Sequence, residues 1–175
     1  MEDLIKKAQK GDEEAFIQAI TEYMPVMYKV ARTRLSSEDD LGDVIQESIL
    51  SAFKNLQSLK NPGYFRTWLI RILINQCNDI IKQNSKVICI GSYEEADKLT
   101  KAICDDNIVN DMDFNQILMQ LSNDYRTVVV LYYVNGFNTR EISEILNEKE
   151  GTIKSRLSRA RTELKANYTG FLEVK

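Results

Sequence analysis

"NTREISEILNEKEGTIKSRLSRARTELK", residues 138–165, decides how the last third of this chain folds. Place Ile153 at zero on a helical wheel at about 100° per residue. Leu157, Ala160 and Leu164 then fall within roughly 40° of it and form one packing stripe. The opposite side carries Ser155, Ser158, Arg159 and Thr162, while Lys154, Arg161 and Lys165 line one flank. With Arg156 these make a strongly basic segment whose one internal acid is Glu163. Upstream, Asn138 and Glu141 have the spacing of a capping box. Ile142, Ile145 and Leu146 share an inward face, and Asn147 is placed to close that helix. A short helix, a tight turn and a second, basic helix form a helix-turn-helix.

The chemistry of the second helix fits DNA. Lysine and arginine neutralise phosphates and release counterions, and short hydroxyls reach base edges or phosphates closely. Lys154, Ser155, Ser158, Arg159, Thr162 and Lys165 are the candidate contacts, and Arg159 has the fork to grip a guanine. The competing reading is a solvated surface helix laced with ion pairs, which is common for basic amphipathic segments. A supporting helix at the right spacing favours DNA.

The rest of the chain bounds the possibilities. It has 175 residues, enough for one domain or two small ones, and 43% of them are hydrophobic, enough for a core. Seven glycines and two prolines point to an all-α protein. The formal net charge is -3, so the basic helix stands out against an acidic background. No apolar run approaches the ~20 residues of a membrane span, and the N-terminus lacks the pattern of a secretion signal, so a cytoplasmic protein is expected. Cys77, Cys89 and Cys104 are isolated, consistent with reduced thiols. Histidine is absent, which removes the commonest general base and metal ligand. No nucleophile motif, phosphate loop or metal spacing stands out. The expectation is no enzyme, no cofactor, no metal site and no small-molecule substrate.

Three blocks divide the chain: residues 1–84, a linker at 85–111, and residues 112–170. In the first, Gly11 ends a short helix and Asp12 caps the next. Pro25 marks a junction or kink, after which Val26, Val30 and Ala31 resume an apolar face. Ser37, with Asp40 three residues on, opens another helix. Asn61-Pro62-Gly63 is a turn before a long helix. The linker holds Glu94, Glu95, Asp97, Asp105 and Asp106 against Lys86, Lys98 and Lys101, has no amphipathic stripe, and contains "KVICI", a possible short strand. In the third block Ile117, Leu118 and Leu121 form one apolar face. Val128, Val129, Leu131 and Tyr132 form another, stopped by Gly136. Two helical domains on an acidic flexible tether, the C-terminal one holding the helix-turn-helix, is the expected architecture.

The stretch from Thr139 onward closely resembles the promoter-reading domain of bacterial RNA polymerase sigma factors of the extracytoplasmic-function group. The matching positions are Glu141, Ile142, Leu146, the run GTIKSRL from Gly151 on, and Arg159-Ala160-Arg161, with Leu121, Arg126, Leu131 and Gly136 upstream. Independently, "DDLGDVIQESILSAFKNL" resembles the group's polymerase-binding helix, with Asp43, Gln46 and Glu47 at its most recognisable positions. "FRTWLIRILINQCNDIIK" resembles the next helix, which recognises and melts the downstream promoter element. Departures are Ser122 for a common proline, Ser143 for a common alanine, and a less basic "KQNSK".

The resemblance implies an alternative sigma factor that binds core RNA polymerase and promoter DNA, held inactive by an anti-sigma factor that is often membrane-anchored. It implies polymerase contacts at Asp43, Gln46, Glu47 and Leu50. Downstream-element contacts would be Asn61, Arg66, Thr67, Arg71, Asn75, Asn78 and Lys82, with the turn around Asn61 as a pocket for a flipped base. Thr139, Thr152 and Arg156 join the upstream-element contacts named above.

Periodicity agrees. With Asp43 at zero, Gln46, Glu47, Leu50 and Lys54 lie within about 60°, and Leu41, Ile45, Ile49, Ala52 and Leu56 lie opposite as core. In the following helix Phe65, Trp68, Leu69 and Ile72 share the expected core side, which favours packing over base stacking for Trp68. Thr67, Arg71, Asn75, Asn78 and Lys82 run down another side, where amides, hydroxyls and cations suit single-stranded DNA. Two rivals remain: a stand-alone helix-turn-helix regulator, which leaves the Asp43 face without a role, and a protein-binding adaptor whose basic helix grips an acidic partner.

Overall fold

In a computed structural model, residues 1–88 and 118–173 are described, with side chains for 1–84 and 118–166. Every element among them is helical. The chain divides into two compact units. The N-terminal unit comprises α1 (Glu2–Ala8), α2 (Glu13–Arg32), α3 (Glu38–Asn55) and α4 (Phe65–Ile88). Two short 3-10 turns, Leu56–Ser58 and Pro62–Tyr64, join α3 to α4. The C-terminal segment of the chain holds α5 (Asn123–Val129), a π turn at Val130–Val134, α6 (Thr139–Leu146) and α7 (Glu150–Glu173).

Local chemistry sets the helix starts. The Asp12 carboxylate accepts the Ala15 N–H at 3.0 Å, and Gly11 precedes it at φ +97°, a conformation that favours glycine. The Ser37 hydroxyl accepts the Asp40 N–H at 3.3 Å. Ser122 caps α5 by accepting the Tyr125 N–H at 3.4 Å, which gives the departure from proline a function of its own. Asn138 and Glu141 exchange reciprocal bonds of 2.8 and 2.9 Å.

Helix α3 packs against both α2 and α4, and α2 also meets α1 and α4. A helix with two neighbours buries more than a narrow stripe. On α3 the core therefore includes Val44 and Ser48 beside Leu41, Ile45 and Ala52, while Ile49 falls to the margin. On α4 it runs through Phe65, Leu69, Ile70, Leu73, Ile74 and Cys77. Fully burying each Leu or Ile contributes about 1.5–3 kcal/mol, so these side chains dominate the unit's stability. Trp68 and Ile72, expected inside, are only half-buried, with Trp68 tilted against Phe65 at 5.9 Å between ring centroids.

Two further expectations are corrected, and of the junction or kink expected at Pro25 the junction is absent: helix α2 continues through Pro25, and Met27 behind it is fully buried. Packing of the following turn outweighs the single hydrogen bond that proline removes. Lys86, Val87 and Ile88 belong to the last turn of α4, not to a strand; the rest of "KVICI", the linker acids and Ile117 lie outside the described residues. Tyr132 is 38% exposed rather than core, because the π turn rewinds the backbone after Val129 and changes the phase of the face.

In the C-terminal unit, Leu118, Leu121, Val129, Val130 and Ala160 form one buried cluster, with Tyr125 and Leu164 packed against it. Arg126 closes the preceding helical turn. Its Nε donates to the Leu118 carbonyl at 3.0 Å, and its Nη2 to those of Met119 at 2.9 Å and Leu121 at 3.0 Å. The Leu118 carbonyl also accepts the Leu121 N–H at 3.2 Å, so Arg126 supplements that turn and satisfies the carbonyls beside it, and bonds from a charged donor are worth about 1.5–3 kcal/mol each.

Candidate functional site

Helix α7 divides as its sequence requires. Ile153, Leu157 and Ala160 are buried, while Thr152, Lys154, Ser155, Ser158, Arg159, Thr162 and Lys165 are exposed. Gly136, at φ +68°, and Asn147, at φ +54°, supply the left-handed turns on either side of α6, and Ile142 and Ile145 are buried on it while Leu146 is half-buried. The hydroxyls of Ser155 and Thr162 donate to the Gly151 and Ser158 carbonyls one turn back, at 2.9 and 3.2 Å. They are rotatable donors one bond away from a ligand. Arg161 donates from Nε to the Leu157 carbonyl at 3.2 Å, which draws it along its own helix.

Arg156 departs from the expected set of DNA contacts. It lies on the edge of the apolar stripe, and its side chain is only 21% exposed. Nη1 pairs with Glu148 at 2.9 Å in the turn, and Nη2 with Asp124 at 3.4 Å on α5. The cation that looked outward in sequence is an internal tie between the turn and two helices, because two carboxylates stand on that flank. Glu148 and Asp124 are thus partners that the pattern alone did not nominate.

A second acid enters at the start of α7. Glu150 Oε1 accepts the Thr139 hydroxyl at 2.7 Å and the Lys154 ammonium at 2.8 Å. Hydrogen bonds from Lys154 and then Thr139 hold its carboxyl below the ordinary carboxylate range, with Lys154 and Arg140 adding electrostatic support. Glu150 and Lys154 have the i, i+4 spacing of a helix ion pair, so this contact was legible in sequence. The bond to Thr139, made across the turn, was not.

In the N-terminal unit, Asp43, Gln46, Glu47 and Leu50 are all exposed on one side of α3, with Leu50 at 44%. Phe53, one turn on, is 49% exposed and meets Phe16 edge to face at 5.1 Å. The face pairs carboxylates with apolar surface, a pattern suited to docking.

On α4 the structure keeps Arg71, Asn75 and Lys82 exposed, with Asn78 half-buried. It withdraws Thr67, which is buried at 6% exposure. With Leu69 at zero, Arg71, Asn75, Asn78 and Lys82 span roughly 180–240°, whereas Thr67 at about 160° falls inside the widened core arc. Asn78 accepts from Arg34 Nη1 at 2.9 Å, and Lys82 pairs with Asp79 at 3.6 Å. Arg66 is half-buried at the start of α4, and Asn61 is exposed, its side-chain oxygen accepting the Gly63 N–H at 3.0 Å.

The connection carrying Asn61 is fixed from α1, which sequence reasoning missed. Gln9 Nε2 donates to the Leu56 carbonyl at 3.0 Å and the Leu59 carbonyl at 2.7 Å, and Gln57 returns a bond to the Gln9 carbonyl. Glu2 crowds Gly63, so that a Cβ there would lie 3.0 Å from Oε1. Beside this turn Tyr64, within the stretch expected to hold a flipped base, is 56% exposed and offers an aromatic face.

Comparison with known proteins gives one answer for both units. Residues 19–87 match the family described as Sigma-70 region 2, and residues 111–164 match Sigma-70, region 4. A sigma-E factor of Salmonella typhimurium is 30% identical over 172 residues, covering 90% of this chain and 88% of that protein. The extracytoplasmic-function factor SigW of Bacillus subtilis is 29% identical, covering 92% of each. Among solved structures, the sigma factor RpoE of Bartonella quintana, in complex with the anti-sigma factor NepR, superposes with a TM-score of 0.74 at 26% identity, over 86% of this chain and 94% of that one. CnrH, solved with the cytosolic domain of CnrY, has the same fold at a TM-score of 0.69 and 22% identity, over 97% of each chain.

Proposed function

This chain belongs to the extracytoplasmic-function RNA polymerase sigma factors and is an alternative sigma factor directing transcription initiation, and we propose how its residues divide that work. Residues 1–84 dock on core RNA polymerase and capture the opened downstream element. Residues 112–170 read the upstream element as duplex, and 85–111 link them.

Asp43, Gln46, Glu47 and Leu50 form the polymerase contact. The charged groups steer the encounter and Leu50 supplies the apolar anchor. Arg71, Asn75, Asn78 and Lys82, with Asn61 and Arg66 near the preceding turn, take the downstream strand, cations on phosphates and amides on unstacked bases. Tyr64 offers a stacking surface beside Asn61. Thr139, Thr152, Lys154, Ser155, Ser158, Arg159, Thr162 and Lys165 meet the duplex, with Arg159 reading a guanine. The work is binding and positioning, without a chemical step of its own.

An anti-sigma factor, membrane-anchored, is the partner that keeps the chain idle in the cytoplasm. The complex in which RpoE was solved, with the anti-sigma factor NepR, supports an anti-sigma partner. No described helix of this chain is long and apolar enough to cross a membrane.

The observation that carries the proposal is the exposed face of α7, hydroxyls flanked by cations over a buried Ile153–Leu157–Ala160 seam, set behind a capped supporting helix. The test is run-off transcription from a promoter library with core polymerase. Specific start sites that appear only on adding this chain are expected. Equal promoter binding with and without polymerase, and no specific transcript, would favour a stand-alone regulator.

A further inference from the structure

The carboxylate of Glu150 meets a hydroxyl from one helix of the helix-turn-helix and an ammonium from the other, both through Oε1, at 2.7 and 2.8 Å. Those two donors, Thr139 and Lys154, both belong to the proposed duplex contacts. The distances are those of charge-assisted bonds, the same kind a phosphate oxygen would make with the same pair. We propose that Glu150 is an internal stand-in for a DNA phosphate, an autoinhibitory contact that keeps Thr139 and Lys154 occupied until a duplex displaces it. The inference rests on reading α7 as the duplex-facing helix.

The energetic logic is an exchange. In the free chain Lys154 already has an anion, so a duplex phosphate gains only the difference between the two pairings. Once displaced, Glu150 leaves a negative charge beside the DNA backbone, which adds repulsion. The penalty is the same whatever the bases, so it lowers affinity for every sequence equally and leaves discrimination to Arg159. Such a brake suits a chain that should not settle on bulk DNA but should bind when polymerase brings it to a promoter and raises its local concentration.

Glu150→Gln keeps the size of the side chain and an acceptor for Thr139 while removing the charge that holds Lys154. The test measures full-length chain binding to a random-sequence duplex by fluorescence anisotropy across a low-salt series. An exposed pair is a weak tie, so Glu150→Gln should bind roughly two- to fivefold tighter than the parent. The slope of log K against log salt should steepen by about one, as Lys154 becomes an additional phosphate contact. Glu163→Gln removes the same charge elsewhere on α7 and gives the effect of net charge alone. In a Lys154→Ala background the gain from Glu150→Gln should shrink to that control level.

A gain no larger than that of Glu163→Gln overturns the proposal, as does a full gain without Lys154. A separate arm adds Arg159→Ala and Lys165→Ala to Glu150→Gln. Undiminished duplex binding there would remove the duplex-facing reading of α7 itself, and the brake with it.

Discussion

Replacing Arg156 with alanine should loosen the C-terminal unit while leaving its outward cations in place. The guanidinium, 21% exposed, pairs with Glu148 at 2.9 Å, itself 31% exposed, and with Asp124 at 3.4 Å, 54% exposed. Freely exposed pairs give about 0.2–1 kcal/mol, whereas breaking a fully buried pair costs about 3–5 kcal/mol. The Glu148 contact lies between these limits and the Asp124 contact near the lower one. Glu148 Oε2 is buried without a hydrogen-bond partner among the described residues, so removing Arg156 also strands a carboxylate. A cost of about 2 kcal/mol follows, which corresponds to roughly thirtyfold faster amide exchange where opening is limited by this unit.

Native-state hydrogen exchange on the full chain, read by mass spectrometry, is the assay. Peptides from α5, α6 and α7 should lose protection, and peptides from α2, α3 and α4 should act as an internal reference. Arg156→Lys keeps the charge but loses the fork that reaches two carboxylates, so it should recover only part of the protection. If Arg156→Ala leaves exchange within about twofold of the parent while the salt dependence of duplex binding falls by about one, the residue is a phosphate ligand and the internal-tie reasoning fails.

Three other outcomes are expected. Asp43→Ala with Glu47→Ala, both on the exposed side of α3, should leave thermal unfolding nearly unchanged but weaken core-polymerase binding several-fold, measured by surface plasmon resonance; normal binding by the folded double variant would remove the proposed contact. Arg159→Ala should relax preference at one or two upstream positions by about 1–3 kcal/mol, whereas Lys165→Ala should weaken all duplexes evenly; equal loss on every sequence would reduce Arg159 to a phosphate contact. Burial pushes the Cys77 thiol up from 9.0 to about 11, partly offset by Arg34, so its thiolate forms in the unfolded chain first. Its contribution to stability is therefore whole below pH 9 and lost as pH rises through about 11, and maleimide labelling of Cys77 at pH 8, read on its own peptide by mass spectrometry, should follow unfolding; rapid labelling of Cys77 in the native chain would contradict its burial.

Sequence by itself determined what depends on neighbours three or four residues away. Capping at Asp12, Ser37 and Asn138, the stops at Gly136 and Asn147, and the split of α7 into apolar and basic sides are local in this sense, and the structure has each of them. So is the exposed run of Asp43, Gln46, Glu47 and Leu50, since one-sided periodicity reveals a solvent face. Tertiary structure alone decided how wide each buried arc is. Helix α4 packs against both α2 and α3, so its core extends to Ile70, Ile74 and Thr67, and Thr67 leaves the surface that its spacing had suggested. Partners distant in sequence were equally invisible: Arg34 reaches Asn78 across 44 positions, and Gln9 reaches Leu59 across 50. The direction of Arg156 belongs with these. A cation on the edge of an apolar stripe turns toward whichever anion is nearer, and only the folded chain brings Glu148 and Asp124 together on that edge.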